Sequence, residues 1–473
     1  MIPAAFQIQR FGSGGDSYVH PVIAVAMLIA IVAFFLLPRK RLIQILLAAA
    51  LLIPMDQVVI LGGLHFQMIR VLILFGIVRV FTLSSSTGAQ FLSKGMNALD
   101  KALIACFIFT AVDTTLLWQT SAAFVNQLGT IFTVFGIYFL LRSLIRDNND
   151  VEAAIHGLVY VAGIIAIVMT IEQATGHNPY AYVWAGATEG ARTVMERDGH
   201  RRAMGCFAHP LLAGTFGGIS LPLFFALWFK RRSHRRIAVV GMVASSAIVL
   251  AANSSTPLLA FVGGLFALSL WPLRKRMRVL RWGLVITLVT LHLAMKAPVW
   301  ALIARIDLTG SSSGYHRYQL VDQFIRRFGD WWLLGTKGNE SWGWDMWDLA
   351  NQYVAVGETS GLLPFVFFMT IIVYGFKYLG KARRQVSGDR RQEHFVWAVG
   401  AALFSNVVAF FGISYFDQTM VAWYLLLAII GAVAASAASA GAKAESSPVR
   451  AEVPATVPSP VLAIPDMRVS ELV

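Results

Sequence analysis

The sequence is poor in charged residues and in cysteine. Only 14% of its 473 residues are charged, against about 25% in an average soluble domain. Hydrophobic residues make up 57%, which excludes a soluble protein with one compact core and a chain that is mostly disordered. The two cysteines, Cys106 and Cys206, are far apart. They predict neither a disulfide framework nor a zinc site.

Several catalytic motifs are also missing. The chain has no Gly-rich phosphate loop, no nucleophile elbow and no cluster with metal-ligand spacing. Asp345 and Asp348 could share a divalent ion, but no third ligand is near them in the sequence. We therefore expect no metal and no other cofactor.

Long apolar segments dominate the rest of the chain. A helix needs about 20 mainly apolar residues to cross a bilayer. Pro54, Asp56 and the pair Gly62-Gly63 interrupt the second and third candidate segments. The candidate spans are 20–37, 42–61, 64–83, 101–118, 124–141, 153–173, 206–229, 237–252, 256–273, 280–296, 353–376, 395–411 and 419–434.

The net charge of +14 lies mainly in short connections between these spans. Lys and Arg mark the cytoplasmic side of a membrane protein, and the clusters share one side if the first span runs inward. This predicts a periplasmic N-terminus and a cytoplasmic C-terminus, and it explains the basic charge without a nucleic-acid partner. The positive charges follow the first apolar stretch, so a cleavable signal peptide is not expected. The basic clusters are 39–41, 230–236, 274–281 and 377–391.

The segments together predict an all-α, polytopic transmembrane helix bundle of about 12–13 spans with a long, partly helical outer loop. The expected divisions are an outer N-terminal segment (1–19), helices 20–296 with an outer loop at 174–205, a long periplasmic loop (297–352), the last spans (353–434) and a disordered cytoplasmic tail (435–473).

The long outer loop holds the most informative pattern. Residues 316–328 have helical periodicity, with an apolar stripe of Leu320, Val321, Phe324, Ile325 and Phe328. The stripe could lie on the membrane surface or pack on the bundle, and either arrangement would leave Arg317 and Arg327 free. Five of the thirteen tryptophans lie at 331–347. They suit either an aromatic belt at the membrane interface or a site for flat sugar faces, and both interpretations stay open.

Arginines near membrane segments are candidate anion sites. Arg70 falls within the third span, where a charge is costly, and Asp56 or an anionic ligand could be its partner. Arg201 and Arg202 precede the point where the chain re-enters the membrane, and a guanidinium there could grip a diphosphate. His209, next to Pro210, fits a helix start better than a catalytic role.

The order of these features resembles the O-antigen ligase and polymerase family of bacterial envelope glycan enzymes. Three patches between about residues 40 and 434 carry the resemblance. They are Arg202 to Pro210 (RAMGCFAHP), the stretch from His316-Arg317 to the turn Leu334 to Gly338 (LGTKG), and Asn351-Gln352-Tyr353 followed by Glu358 to Leu362 (ETSGL).

The sequence departs from the pattern of the family's ligases at two positions, which helps to decide between a ligase and a polymerase. Family ligases carry a His before the Asn of the third patch, and this chain has Ala350, although Gly361 matches. Ligases also often carry an Arg after a Ser at the start of a middle helix, where this chain reads NSSTP at 253–257. The resemblance therefore implies a polymerase, or a divergent ligase. It would join undecaprenyl-diphosphate-linked oligosaccharides at the periplasmic face of the bacterial inner membrane.

The resemblance also implies roles for individual residues. Arg202 and Arg317 would hold the diphosphate, and His316 or Glu358 would accept the proton of the acceptor hydroxyl. The implied partners are membrane lipids, the lipid-linked oligosaccharide, and a chain-length regulator or export complex. The remaining candidate substrate-binding residues are Arg70, Arg201, Arg305, Lys337, Trp344, Asp348, Asn351 and Tyr353.

Two other classes remain open. A transporter or flippase of lipid-linked glycans would use ionisable residues near spans, such as Arg70, Asp113 and Glu172, but the sequence shows no internal repeat. A scaffold without catalysis is the third possibility, because Ala350 replaces the family His.

Overall fold

A computed structural model describes residues 17–61, 64–87, 92, 95–184, 194–197, 199–305 and 313–446. Within these ranges the protein is an all-α helical bundle, and its only sheets are two short antiparallel hairpins. Eight of the described helices are long and apolar enough to cross a membrane, and two more are apolar but shorter. The predicted polytopic membrane bundle is thus confirmed.

The first half of the chain runs from α1 to α6. Its helices and strands are α1 (Pro21–Leu36), α2 (Arg39–Leu52), β1 (Val58–Leu61), β2 (Leu64–Gln67), α3 (Met68–Thr87), α4 (Ala98–Trp118), α5 (Ser121–Leu144) and α6 (Asn148–Thr175).

The second half begins with the second hairpin and ends in the longest helix. It comprises β3 (Met195–Arg197), β4 (His200–Arg202), α7 (Pro210–Trp228), α8 (Arg235–Ala252), α9 (Ser255–Ser269), α10 (Met277–Ala294), α11 (Ser313–Arg326), α12 (Phe328–Trp331), α13 (Gln352–Ser360), α14 (Leu362–Gln385), α15 (Arg390–Ala409) and α16 (Asp417–Ser446).

The predicted second span, 42–61, does not form as one helix. Helix α2 ends at Leu52, and Pro54 follows, which cannot continue a helix because it lacks a backbone N–H. The chain then pairs β1 with β2, and α3 begins only at Met68. The start of the predicted third span, at 64, is therefore a strand.

Gly361 divides the predicted span 353–376 into α13 and α14. Its φ is +85°, a left-handed conformation that favours glycine. A Cβ built there would lie 2.6 Å from the carbonyl oxygen of Leu333. The break therefore lets the outer loop approach the backbone of the membrane helices.

The last helix is longer than expected. Helix α16 continues to Ser446, whereas the disordered tail was expected from 435; residues 435–446 are helical. The remainder of that tail lies outside the described residues. So do 1–16 of the N-terminal segment and residues 185–193, 198 and 306–312 of the two outer loops.

Helix α7 is the centre of the bundle, and small residues make that position possible. It is buried over most of its length between α8, α9 and α15. A Cβ on Gly214 would lie 2.5 Å from the Cβ of Ala252, and one on Gly218 would lie 2.8 Å from the carbonyl oxygen of Pro257. Glycines four residues apart let membrane helices approach closely.

A buried ionic network joins α4 to α5. Asn97 and Asp100 form a capping box at the start of α4. The Asp100 carboxylate also accepts hydrogen bonds from the Tyr138 hydroxyl and from Nε and Nη2 of Arg142, the latter two at 3.2 and 3.3 Å. Asp100 is fully buried and Arg142 is 8% exposed, so each charge depends on the other.

The substitution Asp100→Asn should strongly destabilise the bundle. Asparagine still accepts hydrogen bonds, but it leaves the Arg142 charge buried without a counter-charge, which costs about 3–5 kcal/mol. The thermal midpoint of the purified protein in detergent should fall. Adding Arg142→Met should restore part of the loss. If the double variant is no more stable than Asp100→Asn alone, the charge pairing is not what holds this helix pair.

Candidate functional site

The predicted site residues gather where the second hairpin, the connection from α8 to α9, and the long outer loop meet. The backbone N–H of Ala203 donates to the carbonyl of Ala251 at 2.9 Å. Five residues further, Thr256 accepts a hydrogen bond from Arg317 of α11 at 2.8 Å. The second hairpin and the long outer loop are therefore both anchored where α8 ends and α9 begins.

Arg202 lies at the end of β4, opposite Met195 in the hairpin. Its side chain is 8% exposed, and its Nε is fully buried. Within the described part of the chain, its guanidinium makes neither a hydrogen bond nor an ion pair. Burial, and then the charge of Arg197, lower the pKa of Arg202. A buried cation without a counter-charge is costly, and an anionic ligand would relieve that cost.

Glu172, near the end of α6, fixes the turn that follows Arg202. Its Oε2 accepts hydrogen bonds from the backbone N–H groups of Met204 and Gly205 at 3.0 and 2.7 Å. Asn178 Nδ2 donates to the carbonyl of Gly205 at 2.9 Å. This turn holds Arg202 in place from one side. The sequence offered Glu172 only as a residue near a span, and its role as an anchor was missed.

Arg201 is directed away from Arg202, as alternation along a strand requires. Its Nη1 donates to the carbonyls of Gln173 and Ala174 at 3.3 and 3.0 Å, and its Nε lies 3.7 Å from Glu196. A cation on helix C-terminal carbonyls is stabilising. Arg201 thus holds the hairpin on α6.

His209 begins α7, as its position before Pro210 predicts. Its Nδ1 accepts a hydrogen bond from the backbone N–H of Leu211 at 3.1 Å. Burial, and then the charge of Arg202, lower its pKa to about 4. His209 is therefore neutral at physiological pH and can keep accepting this bond.

Arg317 is buried, which corrects the expectation that it would be free. Leu320 and Phe324 of the predicted stripe are buried, and Arg317 lies on the same helix face, three and seven residues before them. Ile325 and Phe328, at the end of the stripe, are about half exposed. Nη2 of Arg317 donates to the hydroxyl of Thr256, whose hydroxyl donates to the carbonyl of Gly412 at 3.2 Å. Thr256 was missed as a site residue, although its NSSTP stretch offered hydroxyls at a helix start.

His316 and Asp348 complete the polar surroundings of Arg317. The Nε2 of His316 lies 3.0 Å from the carbonyl oxygen of Asp348. Burial raises the pKa of Asp348 above its ordinary value, and the nearby charge of Arg317 offsets this only in part. The structure therefore brings three predicted site residues together. Within the described residues, no three His, Cys, Asp or Glu side chains converge as metal ligands would.

Asn351 and Tyr353 fix the position of α13. Asn351 caps α13, and its Oδ1 accepts from the backbone N–H of Tyr353 and Val354 at 3.0 and 3.2 Å. The Tyr353 hydroxyl donates to the carbonyl of Val407 at 3.0 Å. Both residues fix α13 against the end of α15, next to the backbone that receives Thr256.

Glu358 holds a neighbouring turn. Its Oε1 accepts a hydrogen bond from the Thr336 hydroxyl at 3.1 Å, and its carbonyl accepts from the Thr336 N–H at 2.7 Å. The side chain is 2% exposed. These contacts fasten the turn of the second patch to α13, so burial and position favour a structural role over that of a base.

The other predicted residues lie further away or on the surface. Trp344 is 90% exposed, and Arg305 is exposed at the end of the turn Val299–Arg305. The Nζ of Lys337 lies 5.8 Å from the ring centre of Trp118, at the end of α4.

Arg70 is bonded to neutral groups and not to Asp56, which was one of the two partners that the sequence allowed. Its Nε donates to the Thr133 hydroxyl at 3.1 Å, and its Nη1 donates to the carbonyl of His65 at 2.7 Å. Asp56 accepts a hydrogen bond from Gln57. These contacts hold α3 against α5.

No family model and no curated protein matches the chain.

The neutral state of His209 predicts a pH dependence of stability. Its pKa is about 4 in the folded protein and about 6.5 in an unfolded chain. The unfolded state therefore binds more protons below pH ~6.5, and stability falls as the pH falls towards 4. His209→Asn keeps an acceptor at the helix start. It should reduce the fall of the thermal midpoint between pH 7 and 4.5. The exposed His177→Asn is the control, and equal slopes in wild type and His209→Asn would contradict the assignment.

Proposed function

We propose that this protein is a membrane glycosyltransferase that polymerises, or ligates, undecaprenyl-diphosphate-linked oligosaccharides. It would act at the periplasmic face of the bacterial inner membrane in O-antigen or exopolysaccharide biosynthesis. The observation that carries the proposal is the buried Arg202 guanidinium, which has no partner among the described residues. A diphosphate is an anion that such a group can bind with charge-assisted hydrogen bonds.

The chemistry of the transfer suits a pair of fixed arginines. When the acceptor hydroxyl attacks the sugar, the bond to the lipid diphosphate breaks and negative charge grows on the departing phosphate. Donors that are fixed before the reaction stabilise this charge without reorganisation. Arg202 is held beside the turn that Glu172 fixes, and Arg317 is held by Thr256. Both arginines are 8% exposed.

His316 is the better of the two candidate bases. It is partly exposed and lies next to Arg317 and the backbone of Asp348, so an acceptor hydroxyl could reach it. Glu358 is 2% exposed and bonded to Thr336. His316 would accept the proton of the acceptor hydroxyl.

The membrane orientation rests on charge. Basic connections lie between the helices at one end of the bundle, which the positive-inside rule assigns to the cytoplasm. Arg202 and Arg317 belong to the connections at the other end. The site would then face the periplasm, where the lipid-linked glycan is extended.

Asp113 in α4 favours a second candidate function, transport of lipid-linked glycans. Its side chain is 6% exposed, and its Oδ2 is fully buried without a hydrogen-bond partner among the described residues. Ionisable residues within spans often mark transport paths. Proteoliposomes that move glycolipid across the membrane but make no polymer would favour this function.

The arginine variants test the transferase directly. Arg202→Gln and Arg317→Gln should each reduce glycan lengthening by about 10²-fold or more, because each removes a fixed donor to the growing charge. The measurement is the length distribution of surface polysaccharide, with the protein level in the membrane checked in parallel.

Arg326→Gln is the control, because it changes an exposed residue of α11 that is paired with Asp322. This control should keep glycan lengths near those of the wild type. Normal lengths in the Arg202 and Arg317 variants would contradict the proposal.

A further inference from the structure

A cavity lies at the end of the bundle opposite the candidate site. Its volume is about 230 Å³, and it is lined by residues at the start of α4, the end of α5, the last turns of α14 and the distal part of α16. These helix ends meet, because the backbone N–H of Ala98 donates to the Tyr378 hydroxyl and Arg142 donates to Asp100. The cavity therefore sits at the level where spanning helices leave the hydrocarbon layer.

The polar side of this cavity is cationic. Arg142 is 8% exposed and uses Nε and Nη2 to bind Asp100. Its Nη1 is not one of the atoms that bind Asp100. Lys381 is exposed and also lines the cavity. Because Asp100 pairs with Arg142, the net positive charge at the cavity is that of Lys381, and no carboxylate is among the lining residues.

The opposite wall is built from small residues of α16. Gly431, Ala434 and Ala438 line the cavity, and a Cβ on Gly431 would lie 3.2 Å from Nε of Arg142. These residues leave room beside the guanidinium and give the cavity an apolar side. A ligand that combines a phosphate with an apolar body fits both walls.

We propose that this cavity binds the phosphate group of an anionic phospholipid. Arg142 Nη1 and Lys381 Nζ would donate to the phosphate oxygens, and the glycerol and first acyl carbons would lie against Ala434 and Ala438. Basic pockets between membrane helices are common sites for anionic headgroups. The site is separate from the candidate transferase site and does not depend on its chemistry.

Lipid binding to the purified full chain tests the proposal. In detergent, phosphatidylglycerol should raise the thermal midpoint and phosphatidylcholine should not. Lys381→Gln should weaken phosphatidylglycerol binding about tenfold, because it removes one charge-assisted hydrogen bond. Ala434→Leu fills the cavity without changing its charge and should weaken binding as well. Lys377→Gln is the matched control, since Lys377 is on the same helix but outside the cavity, over the ring of Tyr374.

Each outcome decides the proposal. The proposal is supported if phosphatidylglycerol no longer raises the thermal midpoint of Lys381→Gln and Ala434→Leu but still raises that of Lys377→Gln. It is overturned if Lys381→Gln and Lys377→Gln lose this rise equally, or if phosphatidylcholine raises the midpoint of the wild type as much. The last measurement adds inorganic phosphate at millimolar concentration in place of the lipid. If phosphate raises the thermal midpoint as much as phosphatidylglycerol does, the ligand is a soluble phosphate and the lipid assignment is wrong.

Discussion

The structure depends on how a membrane bundle compensates buried charge. Taking an ion out of water costs several kcal/mol unless a counter-charge or several hydrogen bonds replace its hydration. At the basic end, carboxylates supply this compensation. Asp150 binds Arg39 at 2.8 Å, and Glu393 lies between Arg274 and Arg383 at 3.1 and 3.3 Å. The pairs Arg39–Asp150 and Arg274–Glu393 join segments that are distant in sequence, so charge pairing helps to hold these parts of the bundle together.

Arginines at the opposite end also bind neutral groups. Arg70 donates to a threonine hydroxyl and a carbonyl, and Arg317 donates to the hydroxyl of Thr256. Arg202 has no bonded partner among the described residues. Glu172 accepts hydrogen bonds from the backbone of the turn that follows Arg202. Positive charge is thus retained where the proposed substrate carries negative charge, which suits binding of an anion.

The spans could be predicted from the sequence because apolar length is a direct physical requirement of the bilayer. The sequence also predicted an interruption at Pro54, but it did not predict that the chain forms a hairpin there. The side chains of the site were harder to place. Arg201 and Arg202 are adjacent and chemically identical, and only the register of the hairpin decides that one binds α6 while the other is buried. Arg317 and Glu358 likewise owe their burial to tertiary packing, which a local pattern does not encode.

The proposed binding of a diphosphate by Arg202 is tested most directly by affinity measurements. The affinity of the purified protein for a polyprenyl diphosphate and for the matching monophosphate is measured in wild type, Arg202→Gln and Arg326→Gln. We expect wild type and Arg326→Gln to bind the diphosphate more tightly than the monophosphate, and Arg202→Gln to lose this preference. An unchanged preference in Arg202→Gln would contradict the proposal.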